Sequence, residues 1–269
     1  MTRGGKNVGN ELQFAELLSA LRRSDHWLEN VKLKKIVSYG DRLLPHLEDI
    51  LTQSLDSNLH PSQPGDCQPQ GYAVLHALFL LTHLQAEKSL PVILKFLSQK
   101  PDFLDCYLHD SLLDEIWEVL FGLGENHLAE LEKFVLNTRN NTLSRLAVCT
   151  ALIQIALHHP TRKRRVTQAF KGLLSIKNDD PDFIGLVISE LLDLKSPTLR
   201  PFMLAVLSKN EVWSGIISVE DVSRSYKDKH VRKLIPIDLF ERYRLYTRFA
   251  HVTPVKTLHK TQRRVEKSW

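Results

Sequence analysis

Glycine is scarce in this chain, with 11 among 269 residues. A phosphate cradle needs glycine where the backbone closes on the ligand. No Walker loop, dinucleotide fingerprint, nucleophile elbow or HExxH run occurs. Cysteine is scarcer still. Cys67, Cys106 and Cys149 are far apart, odd in number and in no CxxC spacing, which argues against a structural zinc site or a disulfide framework. The opening residues, MTRGGKNVGN, lack the apolar core of a secretory signal. The longest strongly apolar stretch, Ala147–Leu157, has 11 residues and includes Gln154, too short and too polar to span a bilayer. Nothing alternates with period two for long enough to build a sheet. What remains is an all-α chain, expected in the cytoplasm with no cofactor, no metal and no membrane.

What is present is helical periodicity. In GYAVLHALFLLTHLQAEKSLPVILKFL (71–97) the first helix, from Tyr72 to about Leu84, is apolar nearly all round, and so must be buried on more than one side. The second carries the stripe Leu90, Ile93, Leu94 and Leu97, with Pro91 in its first turn. The same stripe begins at Leu44, Leu128, Val166 and Leu199, so the starts lie 46, 38, 38 and 33 residues apart. A Pro/Gln/Ser loop at 57–70 accounts for the long first interval. More uniformly apolar helices precede the later stripes, at 72–84, 111–121, 143–157 and 183–192. A period of this length belongs to helical hairpins of the HEAT and armadillo kind. The expected architecture is a short right-handed α-solenoid of about five HEAT-like hairpins, each contacting its neighbours.

Charge divides the chain. Residues 227–269 hold 12 Lys/Arg against 4 Asp/Glu, leaving 24 against 27 in residues 1–226, so the net +5 belongs to the tail. The expected organisation is a Gly-rich disordered N-terminus (1–10), a repeat domain (11–226), a cap helix region (227–250) and a basic tail (251–269). Ser218 with Asp221 three residues on marks a helix start of the capping-box type.

The segments GDRLLPHLEDIL (40–51), HALFLLTHLQAEKSLPVILKFL (76–97), LHDSLLDEIWEVLFGLG (108–124) and WSGIISVEDV (213–222) carry a resemblance. Over about residues 12–226 the chain resembles the bacterial domain-of-unknown-function family 1186, HEAT-like helical-repeat proteins. The resemblance implies the repeat fold and no settled activity. Some similar proteins end in a short Cys/His metal-binding segment, whereas residues 251–269 contain no cysteine.

Four groups of residues offer chemistry. Tyr72, His76 and His83 fall on one side of the first helix and make a polar seam, either a metal or proton relay or histidines bonded to loop carbonyls of the next hairpin. Asp110, Asp114, Glu115 and Glu118 make an acidic face, read as a solvated surface or as a docking site for a basic partner. Arg162, Lys163, Arg164 and Arg165 form the densest basic run of the repeat region, able to hold phosphates or simply to keep a turn soluble. In the tail, Arg242, Arg244 and Arg248 interleave with Phe240, Tyr243, Tyr246 and Phe249, and Arg263 and Arg264 follow. Such a segment can stack on bases and pair with phosphates, or dock its aromatics on the last repeat as a cap.

The functional expectation is a non-enzymatic protein–protein interaction scaffold with an unknown protein partner. The alternative is nucleic-acid binding, weak and non-specific, through the basic tail and the Arg162–Arg165 cluster. An enzyme using the His76/His83 seam or the Asp110/Asp114 face is the third class considered.

Overall fold

The computed structural model describes residues 4–24, 28–56, 71–176, 179–209 and 212–252. Among them every regular element is a helix. The chain opens with α1 (Gly4–Arg23), α2 (Asn30–Val37) and α3 (Leu44–Ser54), and continues through α4 (Gly71–His83), α5 (Leu90–Leu97) and α6 (Pro101–Leu108). The short α7 (Ser111–Asp114) leads into α8 (Ile116–Gly124), α9 (Leu128–Leu136), α10 (Thr142–His158) and α11 (Lys163–Leu173). Then come α12 (Pro181–Leu191), α13 (Arg200–Leu207), α14 (Val219–Ser225) and α15 (Leu239–Val252). The bounds of α1 take in residues 4–10, where the glycine content predicts no regular structure.

Local chemistry sets these boundaries. Pro45, Pro91, Pro101, Pro181 and Pro201 sit in the first turns of α3, α5, α6, α12 and α13, where a missing N–H costs nothing. Asn141 caps α10 by accepting from the Leu143 and Ser144 N–H groups, and Asp180 caps α12 by accepting from Asp182 and Phe183. At α14 the capping box is complete: the Ser218 hydroxyl accepts from the Asp221 N–H, and the Asp221 carboxylate accepts from the Ser218 N–H. Gly40, at φ +53°, turns the chain between α2 and α3 in a conformation that side chains disfavour.

Packing follows the apolar pattern. α4 lies against α3 and α8, α8 against α10, and α10 against α12, so the most uniformly apolar helices form one row. The striped helices accompany them, α5 beside α3 and α11 beside α9. On α4 every residue from Ala73 to Leu81 is buried, His76 included. The approach of α8 to α4 depends on Gly122, where a Cβ would stand 2.7 Å from Cγ2 of Thr82. Arg145, 1% exposed on α10, forms a bidentate pair with Asp179 at 2.8 and 2.5 Å. Its Nε–H donates to the Val135 carbonyl, and its guanidinium lies 4.0 Å from the centre of the Phe183 ring.

Two expectations are corrected. The segment after α14 does not cap the last helices. Residues 227–238 run back without helix across α12, α10 and α8, and α15 settles on α4 and α2, near the start of the chain. There Arg242 of α15 meets two carboxylates, and Leu239 and Tyr243 of the same helix are buried. The cysteine expectation also fails in part: Cys106 is disulfide-bonded, while Cys149 is free and buried, its thiol pushed upward by burial. Among the described residues no helix is long and apolar enough to cross a membrane.

Candidate functional site

The site grows from one sequence feature. In α8, IWEVLFGLG, Glu118 is the single charged residue, and it is 7% exposed. A carboxylate on so apolar a helix requires a partner or loses its charge. The partner is Arg242 of α15, 3% exposed, whose Nη2 donates to Glu118 at 2.5 Å and whose Nη1 donates to Glu115. The guanidinium rests 4.3 Å from the centre of the Phe79 ring of α4. Tyr246, one turn on, donates its hydroxyl to the same Glu115. Tyr243 is fully buried, with its hydroxyl on Nδ1 of His76 and its ring stacked on the imidazole.

Upstream, the strap of residues 227–238 is held by its backbone. Gln154 of α10 brackets it, donating to the Arg232 carbonyl at 3.2 Å and accepting from the Leu234 N–H at 2.9 Å. His158 Nε2 donates to the Leu234 carbonyl at 2.7 Å, and Glu118 accepts from the Ile237 N–H at 2.8 Å. At the far end Arg232 pairs with Glu190 and Asp193, and Lys195 Nζ donates to the carbonyl and hydroxyl oxygens of Ser225.

The electrostatics follow from burial. Burial pushes the Glu118 carboxyl above its ordinary range, and the charge and hydrogen bond of Arg242 and the Ile237 N–H recover only part of that. Burial opposes the charge of Arg242, yet Glu115 and Glu118 hold it firmly protonated. Tyr243 and Tyr246 are pushed far upward, first by burial, and act as neutral hydroxyls.

Three groups that are separate in the sequence therefore meet: the polar seam, part of the acidic face and part of the tail. His76 bonds the Tyr243 hydroxyl through its Nδ1. His83 meets Phe240 edge-on, with ring centres 5.6 Å apart. Tyr72 lines a cavity of about 260 Å³ together with Asp110, Asp114, Glu115 and Tyr246. A second cavity of about 210 Å³ is bordered by His83, Glu118, Leu239 and Arg242. The acidic residues do not share one continuous helix. The break at Glu115, with φ −128° and ψ −28°, separates α7 from α8 and leaves Asp110 and Asp114 exposed while Glu115 and Glu118 turn to α15.

The basic candidates also divide. Arg242 is buried and spent on carboxylates, so it is not open to a phosphate. Arg244 pairs with Glu241 on its own helix, and Arg248 is exposed. Arg162 pairs with Glu125 and donates to Asn126, and Arg165 pairs with Glu132 at 2.6 Å, while Lys163 and Arg164 are exposed. Arg263, Arg264, Cys67 and the 57–70 loop lie outside the described residues, and Phe249 is described by its backbone alone. Sequence reasoning passed over Gln154 and His158 as site residues. The available signal was the one Glu118 gives, a polar side chain inside an otherwise apolar helix. Among the described residues no group of three His, Cys, Asp or Glu side chains could hold a metal ion.

Comparison with known proteins places the chain by family alone. A family model described as protein of unknown function (DUF1186) matches residues 12–245, and the chain belongs to that family. The match runs through the strap and into α15, past Arg242 and Tyr243. No curated protein and no solved structure matches significantly.

Proposed function

We propose that this member of a family without an assigned activity is a non-enzymatic, cytoplasmic protein-binding scaffold. In this reading the rows of helices are a short right-handed α-solenoid of about five HEAT-like hairpins, and the row α4, α8, α10 and α12 offers the binding face. The observation that carries the reading is the strap. Three helices of that row, α8, α10 and α12, hold a segment of polypeptide by side-chain contacts to its backbone and by ion pairs at Arg232 and Arg242, and α4 adds the His76 contact to Tyr243. A surface that holds one peptide in this manner has the chemistry to hold another.

The test is capture of partners by the full chain from its native cell, with and without nuclease, identified by mass spectrometry. A protein retained after nuclease treatment supports the scaffold. Retention that disappears with nuclease favours nucleic-acid binding, for which Lys163, Arg164 and Arg248 are exposed candidate cations, beside the exposed but paired Arg165 and Arg244. Small-angle scattering tests the architecture, since a stacked array is elongated where a single core is near-spherical.

A further inference from the structure

The face made by α4, α8 and α10 reads the C-terminal segment in two ways. Gln154, His158 and Glu118 contact its extended part through main-chain groups, which any sequence supplies. The helical part is read by side chains: Arg242 between Glu115 and Glu118, Tyr243 on His76, and Tyr246 on Glu115. Without Arg242, two neighbouring carboxylates would face each other beside Phe79. The face therefore selects a guanidinium, whose planar fork can serve both acids at once.

The present occupant fills this groove incompletely. Cavities of about 260 and 210 Å³ border it, one at Tyr246 and one at Leu239 and Arg242. The larger is bordered by Asp110 and Asp114, exposed carboxylates with no ion pair among the described residues. A segment with a second cation there would gain an interaction that α15 does not supply.

We infer that this face is a peptide-recognition groove and that residues 227–252 are its resident ligand in cis. The partner it fits is a protein segment that presents an arginine and two tyrosines at the spacing of Arg242, Tyr243 and Tyr246, with a further cation toward Asp110 and Asp114. The inference rests on the scaffold reading and names its partner class. Such a partner competes with the chain's own C-terminus, so the scaffold is held closed until the partner arrives.

The experiment makes the resident ligand exchangeable without disturbing folding. In the full chain, a specific protease site replaces the exposed Lys227–His230 and is cut after the protein has folded. A fluorescent peptide of residues 231–252 is then titrated into cut and uncut protein and followed by anisotropy. The cut protein should bind the peptide at least about tenfold more tightly, because the tethered segment competes at millimolar effective concentration in the uncut chain. The same peptide with Arg242→Ala should bind at least about tenfold more weakly, and Glu118→Gln in the cut protein should weaken the unsubstituted peptide. Equal binding by cut and uncut protein, no loss with the Arg242→Ala peptide, or a cut segment that excess peptide cannot exchange would each overturn the inference. A native partner captured by a chain that fails this exchange would leave the scaffold and move its site elsewhere. Exchange without any captured partner would do the reverse.

Discussion

Arg242 and Glu118 lie 124 residues apart in the chain and share a hydrogen bond of 2.5 Å in the interior. The pair fixes the path of the whole C-terminal segment. A charged group on α8 cannot stay buried alone, and the cation that satisfies it sits on α15 between the buried Leu239 and Tyr243.

Breaking that pair from the cationic side should be severe. Arg242→Ala leaves Glu115 and Glu118 facing each other, and should cost about 3–5 kcal/mol in urea unfolding. Adding Glu115→Gln and Glu118→Gln to Arg242→Met should recover most of the loss. A single-variant cost below about 1 kcal/mol would show that α15 is not docked by charge.

The two buried carboxylates should have opposite pH signatures. Burial raises Asp179, but the hydrogen bonds and charge of Arg145 and the Asp180 N–H outweigh it and set it below the ordinary range. Its contribution is then fully present above about pH 4, the unfolded value, and is lost as pH falls through the lower folded value. The stability gap between wild type and Asp179→Asn should therefore be constant near neutrality and close in acid. Glu118 is shifted upward. Its charged form costs stability increasingly as pH rises from about 4.3, so Glu118→Gln should compare best with wild type near neutrality. Thermal melts of the three proteins from pH 3 to 8 decide both signs, and parallel curves would refute them.

Leu80, fully buried on α4, should not tolerate charge. Leu80→Asp should cost about 3–5 kcal/mol or prevent folding, because the carboxylate is buried without a partner. Leu55→Asp, partly exposed after α3, should cost less than about 1 kcal/mol. Equal losses in chemical denaturation would deny α4 its central place.

Gly122 should report on how closely α4 and α8 pack. Gly122→Ala puts a Cβ 2.7 Å from Thr82 Cγ2 and should cost about 1–3 kcal/mol despite alanine's better helix propensity. The double variant with Thr82→Ser, which deletes that methyl, should recover stability. Stabilisation by Gly122→Ala alone would mean that the two helices part readily.

The sequence by itself determined the helices. Their apolar stripes, first-turn prolines and caps are local signals, and the structure places α3, α5, α9, α11 and α13 where the repeating stripe predicts them. The start of α14 at Ser218 was legible for the same reason, because a capping box is written within four residues. The helix expected over 111–121 is instead two, since a break at one residue leaves little trace in apolar periodicity. Partnership across the fold was left to the tertiary structure. Residue types name which groups need a partner: Glu118 in α8, Arg145 and Gln154 in α10, His76 in α4. Which partner each finds depends on where a segment 34 residues away, for Arg145, or 167, for His76, comes to rest. Periodicity repeats within a hairpin and carries no term for that distance. Only the folded chain, with its buried charges neutralised together, brings Arg242 to Glu118 and Tyr243 to His76.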